Sequence, residues 1–180
     1  VEWKSSIDKK PLVVKGARQI GKTASIRYFA QGNYAYFIEI NFALQPKYKK
    51  IFEEGYEVTS ILKNLSLLNP SFTFVPGETL IFFDELQECP DCATALKSFK
   101  QDGRYDVISS GSLMGLYYQQ IESNSVGYKT DYEMHSLDFE EFLWAKGYNK
   151  ALIDDLYQHM VDVQPLSGME MDVLSAHFRD

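Results

Sequence analysis

Residues 11 to 30, PLVVKGARQIGKTASIRYFA, pass from a β-branched apolar block through two glycines into a helix-like pattern. Gly16-Ala17-Arg18-Gln19-Ile20-Gly21-Lys22-Thr23 fits the spacing G-x-x-x-x-G-K-S/T. This feature restricts the fold most tightly, because a strand must end where the loop begins and a helix must start where it closes. A loop that turns its N–H groups inward around an anion needs glycine where the backbone approaches closely. The helix that follows aims its positive dipole end at the same point. Gly16 through Ala24 are therefore the predicted phosphate contacts, with Lys22 reaching the outer phosphates and the Thr23 hydroxyl placed to hold Mg²⁺. A glycine turn followed by a solvated lysine is the alternative reading of the same residues.

Five short blocks read as strands: PLVVK (11–15), YAYFIEINF (34–42), TLIFFD (79–84), YDVISS (105–110) and DYEMHSLDF (131–139). Several are near-continuous apolar runs, as strands covered on both faces should be. Between them KTASIRYFA, EVTSILKNLSLL and CATALKSFKQ repeat apolar residues at helical spacing. Such alternation predicts an α/β fold with a parallel sheet. NPSFTFVPGE and QQIESNSVGYKT read as polar loops near a site. After Phe139 the pattern turns helical: FEEFLWAKG closes on Gly147 as a C-cap, and NKALIDDLYQHMV starts from Asn149 as an N-cap. The last block, PLSGMEMDVLSAHFRD, is a further helix without a closing signal. The expected division is a core over residues 1–146 and a helical extension over 147–180 leading to a further C-terminal domain.

The formal net charge is −7, and it is unevenly spread. Residues 151–180 hold six carboxylates against Arg179, whereas residues 1–31 hold five lysines and two arginines against Glu2 and Asp8. A basic front end suits an anionic ligand, while the overall charge gives DNA binding no support and does not exclude it. The start, VEWKSSIDKK, carries no apolar leader block, no run is long enough to span a membrane, and two cysteines make no disulfide framework. The expectation is a soluble cytoplasmic protein.

LIFFDELQ ends an apolar strand in Asp84 and Glu85. Adjacent carboxylates leaving a buried strand point at the crevice where open α/β sheets bind ligands. Asp84 is then the Mg²⁺ carboxylate, and Glu85 the base that orients and deprotonates water. An acidic turn after a strand gives the same local pattern, but the loop some sixty residues earlier favours the site. YDVISSGSLMG ends in Ser109, Ser110, Gly111 and Ser112. In P-loop ATPases whose catalytic glutamate follows the aspartate, a polar residue on this strand touches the γ-phosphate or the attacking water. Ser110 fits that role, with an ordinary serine-glycine turn as the alternative. Asn41, at the end of the second strand, is either a partner that restrains Glu85 or a strand cap.

GARQIGKT, FFDELQ, SSGS and the later SLDFEEFL together resemble the AAA superfamily of ATPases. Within it they are most similar to bacterial and archaeal ATPases whose AAA-type core precedes a C-terminal domain of unknown function. The resemblance covers about residues 11–145, and it implies a three-layer P-loop fold, a sheet ordered 5-1-4-3-2, and ATP with Mg²⁺ as ligand. Catalysis would rest on Glu85, Lys22 and Ser110, and the metal on Thr23 and Asp84. SLDFEEFL departs from the family's proline-leucine-serine-phenylalanine-x-glutamate-phenylalanine stretch at Ser136 and Asp138, which puts the local turn in question. AAA-type sites usually take an arginine from a neighbour, so a homo-oligomer or protein partner stays open. Arg18, Arg27 and Arg104 are cations without an assigned role.

Several patterns compete with this reading. CPDC at 89–92 has thioredoxin-like spacing but follows the acidic strand end, and no second pair completes a zinc site. Pro90 and Asp91 more simply start a helix. His135, His159 and His177 show no metal-ligand spacing. NKAL at 149 lacks the aspartate that would read guanine. A small-molecule kinase and an ATP-dependent switch with little turnover remain as alternatives to a hydrolase.

Overall fold

The computed structural model describes residues 2–112 and 127–177. In chain order these form α1 (Glu2–Ser5), β1 (Leu12–Gly16), α2 (Lys22–Asn33), β2 (Tyr36–Asn41), a 3₁₀ segment Pro46–Phe52 and α3 (Val58–Leu68). Then follow β3 (Thr79–Asp84), a 3₁₀ turn Leu86–Glu88, α4 (Pro90–Asp102), β4 (Asp106–Ser112) and β5 (Thr130–Glu133). Three helices close the chain: α5 (Phe139–Ala145), α6 (Lys150–Val161) and α7 (Gly168–His177).

The five strands make one sheet, ordered β2-β3-β4-β1-β5, with every pairing parallel. This is the expected 5-1-4-3-2 order viewed from the other edge. β3 sits inside the sheet with all six residues buried, and its period-two alternation feeds two cores. Ile81 and Phe83 face one side, with α3, α4 and the 46–52 segment. Leu80 and Phe82 face the other, with Ile26 and Ala30 of α2. Three layers result.

Local chemistry explains the helices. α3 buries Val58, Ile61, Leu62 and Leu65, one stripe at helical spacing. α4 starts with Pro90 in its first turn and stops at Gly103, whose φ of 68° turns the chain left-handed while its N–H closes on Phe99 O. CPDC thus opens a helix, as Pro90 and Asp91 predicted.

The fifth strand is shorter than expected. β5 ends at Glu133, exposed along its length, because β1 ends at Gly16 and leaves nothing further to pair with beyond the Met134 N–H bond to Lys15 O, 2.7 Å. β2 starts later than expected, at Tyr36, since Tyr34 N–H still caps α2 on Ala30 O at 3.0 Å. The loop reading of QQIESNSVGYKT falls largely on residues 119–126, outside the described ones.

By contact the chain divides into two compact units, one ending at Ser136 and one starting at Leu137. The reason lies in α5, whose Leu143 is buried like Ile153 of α6, so the helix belongs with those after it. Asn149 caps α6 by accepting Leu152 N–H at 2.9 Å, as its position predicted. Asp138, one of the two residues that depart from the family stretch, caps α5. It accepts Glu141 N–H at 2.8 Å while the Glu141 carboxylate accepts Asp138 N–H at 3.1 Å, a reciprocal capping box. Among the described residues no helix is long and apolar enough to cross a membrane.

Candidate functional site

The loop from Gly16 to Gly21 joins the end of β1 to the start of α2. Gly16 cannot carry a side chain: a Cβ there would stand 2.3 Å from Met134 O and 2.6 Å from Ile20 Cδ1. Gln19 and Gly21 have φ of 64° and 94°, which fold the loop back over the helix start. α2 has no side-chain cap at Gly21, so its first N–H groups remain directed at the loop's centre. Lys22 Nζ donates to Gly16 O at 3.1 Å and Ala17 O at 2.5 Å, so the ammonium lies along the loop's own carbonyls.

Across the sheet the carboxyl ends of three strands stand level. Asn41 and Asp84 are direct partners in the β2–β3 ladder, and Ser110 follows the last β3–β4 pair, Phe83 with Ser109. Parallel register therefore brings their side chains together. Asp84 is 4% exposed and accepts four hydrogen bonds. Thr23 Oγ1 at 3.2 Å and Asn41 Nδ2 at 2.9 Å reach Oδ2, while Glu85 N–H at 3.2 Å and the Ser110 hydroxyl reach Oδ1. All four donors are neutral, and no described cation makes an ion pair with Asp84.

Asn41 does not restrain Glu85. Its register partner is Asp84, and its Oδ1 is fixed by Ala43 N–H at 3.0 Å and Leu44 N–H at 2.9 Å, which leaves Nδ2 for Asp84. Ser110 is buried, and its hydroxyl is spent on Asp84. Glu85 leaves the strand with φ 59° and ψ 53°, a left-handed conformation rare for a side chain of this size. That turn carries its carboxylate away from the sheet plane and into the cleft.

A cleft of about 470 Å³ lies over these residues, lined by Arg18, Gln19, Gly21, Lys22, Thr23 and Ala24 on one side and Asp84 and Glu85 on the other. Arg27 lines it too, held by Glu39 through two hydrogen bonds of 2.7 and 2.6 Å. Of the three unassigned arginines, Arg18 and Arg27 meet the site and Arg104 does not. Arg104 precedes β4 at the opposite end of the sheet, where Asp102 holds it at 2.7 Å.

One contact lay outside the sequence reading: Gln87, two residues past Glu85, donates its amide N–H to the Glu85 carboxylate. The only signal was the polar residue itself in DELQ. The cysteines of CPDC are both buried; burial pushes the Cys89 thiol up to about 11 and Cys92 well above its ordinary value. A redox pair needs the opposite shift. His159 does gather with Asp155 and Glu170, contrary to the spacing argument, because Asp155 and His159 lie one turn apart on α6. Asp155 is exposed and the Glu170 carboxylate is taken up by Ser167 N–H at 2.6 Å.

The donor set suits a nucleotide with magnesium. Asp84 brings a buried anionic charge hydrogen-bonded only by neutral groups, Thr23 offers a hydroxyl beside it, and the uncapped α2 offers N–H groups to an anion. No curated protein matches the chain. A family model described as an AAA domain matches residues 8–143. The parallel sheet, the glycine loop and the acidic strand end lie within that span, and the chain belongs to the AAA domain family.

Proposed function

We propose that the chain binds ATP with Mg²⁺ in the cleft over Asp84 and hydrolyses it, and that turnover changes the conformation of an attached domain or partner. The observation that carries this reading is Asp84, buried, met only by neutral donors, and set directly across from Thr23. Thr23 and Asp84 would hold the magnesium, which when bound supplies positive charge against the phosphates. The loop N–H groups and Lys22 would bind the phosphates, with Lys22 exchanging the carbonyls of Gly16 and Ala17 for phosphate oxygens. Glu85, at the cleft wall, would orient a water and take its proton as the oxygen attacks the γ-phosphorus and ADP leaves. Ser110 and Asn41 hold the Asp84 carboxylate in place. Arg18 and Arg27 are the chain's own cations at the cleft.

Two variants test the reading. Lys22→Ala is expected to weaken binding of a fluorescent ATP analogue about 100-fold, the worth of a charge-assisted phosphate contact. Glu85→Gln is expected to bind the analogue as wild type does while ATP turnover falls at least about 100-fold. Unaltered binding by Lys22→Ala would remove the phosphate loop. Phosphorylated small molecules in a substrate screen would replace hydrolysis with transfer.

A further inference from the structure

We infer that Gln87 is a positioning residue that ties the Glu85 carboxylate to the end of β4, an inference that rests on Glu85 acting as the hydrolytic base. Gln87 sits half-buried in the 3₁₀ turn Leu86–Glu88, which buried Leu86 anchors in the core. Its amide is bonded at both ends. Oε1 accepts the Ser112 backbone N–H at 3.3 Å, and Nε2 donates to Glu85 Oε2. Because a backbone N–H can only donate, the Ser112 bond fixes which end of the amide is oxygen. The N–H end is left facing Glu85.

The residue between Ser110 and Ser112 supports the same arrangement. Gly111 carries no side chain beneath the amide, and a Cβ there would stand 3.3 Å from Gln87 Oε1. That is tighter than most real contacts, so the bare glycine leaves the amide its place. β4 thereby holds both carboxylates, Asp84 through the Ser110 hydroxyl and Glu85 through Ser112 and Gln87. With Oε2 occupied by Gln87, Glu85 has Oε1 left for a water proton. A carboxylate on a left-handed residue in a short turn has few other restraints, and this contact selects its direction.

The experiment compares ATP turnover, KM and fluorescent ATP-analogue binding for wild type, Lys22→Ala, Glu85→Gln, Gln87→Ala, Gln87→Glu and Gly111→Ala. Gln87→Ala is expected to lower kcat about tenfold, the scale of one charge-assisted hydrogen bond, with KM and analogue binding unchanged. Gln87→Glu fills the same volume but replaces the donor with a second carboxylate, so its kcat falls at least as far. A packing role predicts near wild-type turnover for Gln87→Glu, and that result overturns the inference. Gly111→Ala lowers kcat less and adds nothing in the Gln87→Ala background, since both act through one amide. It serves as the test if Gln87→Ala fails to fold. Full kcat in Gln87→Ala beside a dead Glu85→Gln overturns the positioning role and leaves hydrolysis standing. Full kcat in Glu85→Gln, or no wild-type turnover above the Lys22→Ala background, removes the base and its positioner together.

Discussion

Each end of the sheet gathers an aspartate, half-buried at one end and buried at the other. At the amino end Asp106, the first residue of β4, accepts the Lys9 ammonium at 2.8 Å and the Tyr34 hydroxyl at 2.6 Å. At the carboxyl end Asp84, the last residue of β3, accepts only neutral groups. Asp106 takes both donors on Oδ2 and one of them is charged, whereas Asp84 uses both oxygens and makes no ion pair with a described cation. A buried carboxylate without a cation costs stability that a paired one does not. The sheet therefore ties its amino-end carboxylate into an ion pair and leaves its carboxyl-end one bonded by neutral groups alone.

Exchanging the charges tests this contrast, and Asp84→Asn should show the largest effect. If Asp84 holds magnesium as proposed, its loss is expected to lower magnesium-dependent ATP turnover at least about 100-fold, the scale of several kcal/mol of charge stabilisation. The melting temperature should change little, because the amide removes an unbalanced charge but sets its NH2 against a fixed donor, Asn41 Nδ2 or the Glu85 N–H. A falling melting temperature with turnover intact would make Asp84 a structural residue like Asp106. Asp106→Asn should do the reverse. Its carboxylate is 11% exposed and Lys9 29%, so the pair is partly screened and its loss should cost about 1–2 kcal/mol. For a chain of this size that lowers the melting temperature by about 2–8 °C, read by calorimetry, with analogue binding unchanged.

The two ends also differed in how far the sequence revealed them. The residues that gather at the carboxyl end were legible because GARQIGKT and LIFFDELQ each lie in one contiguous stretch, a loop between a strand and a helix and an apolar strand ending in carboxylates. Contiguity likewise gave the strands, with β3 falling on TLIFFD as expected, while their order came from the family resemblance. What escaped depends on register. Asn41 reaches Asp84 and not Glu85 because of a ladder between strands more than forty residues apart, and Gln87 meets Ser112 across 25 residues of chain. β5 was drawn too long because its end is set by where β1 stops, not by its own residues. The amino-end network joins Lys9, Tyr34 and Asp106, and no local pattern in any of them announces the other two.

Tyr34 gives the smallest test, and it isolates the amino end from the site. Burial is the largest cause that raises its hydroxyl pKa, followed by the hydrogen bond to Asp106 and that carboxylate's charge. The folded chain thus keeps a proton that the unfolded chain releases near pH 10. Below that pH both states hold it and the contribution is fully present. Above it stability is lost as pH rises towards the folded value, with a slope of at most about 1.4 kcal/mol per pH unit for this one proton. Tyr34→Phe should therefore cost about 1 kcal/mol at pH 8, one hydrogen bond, and the gap to wild type should shrink by pH 11. The other tyrosines titrate in both proteins and cancel in the difference. Urea midpoints at stepped pH measure it, and analogue binding at pH 8 should not change. A gap that stays constant with pH would mean that the phenol ionises alike folded and unfolded, so that the amino end is open to water and the contrast with Asp84 is lost.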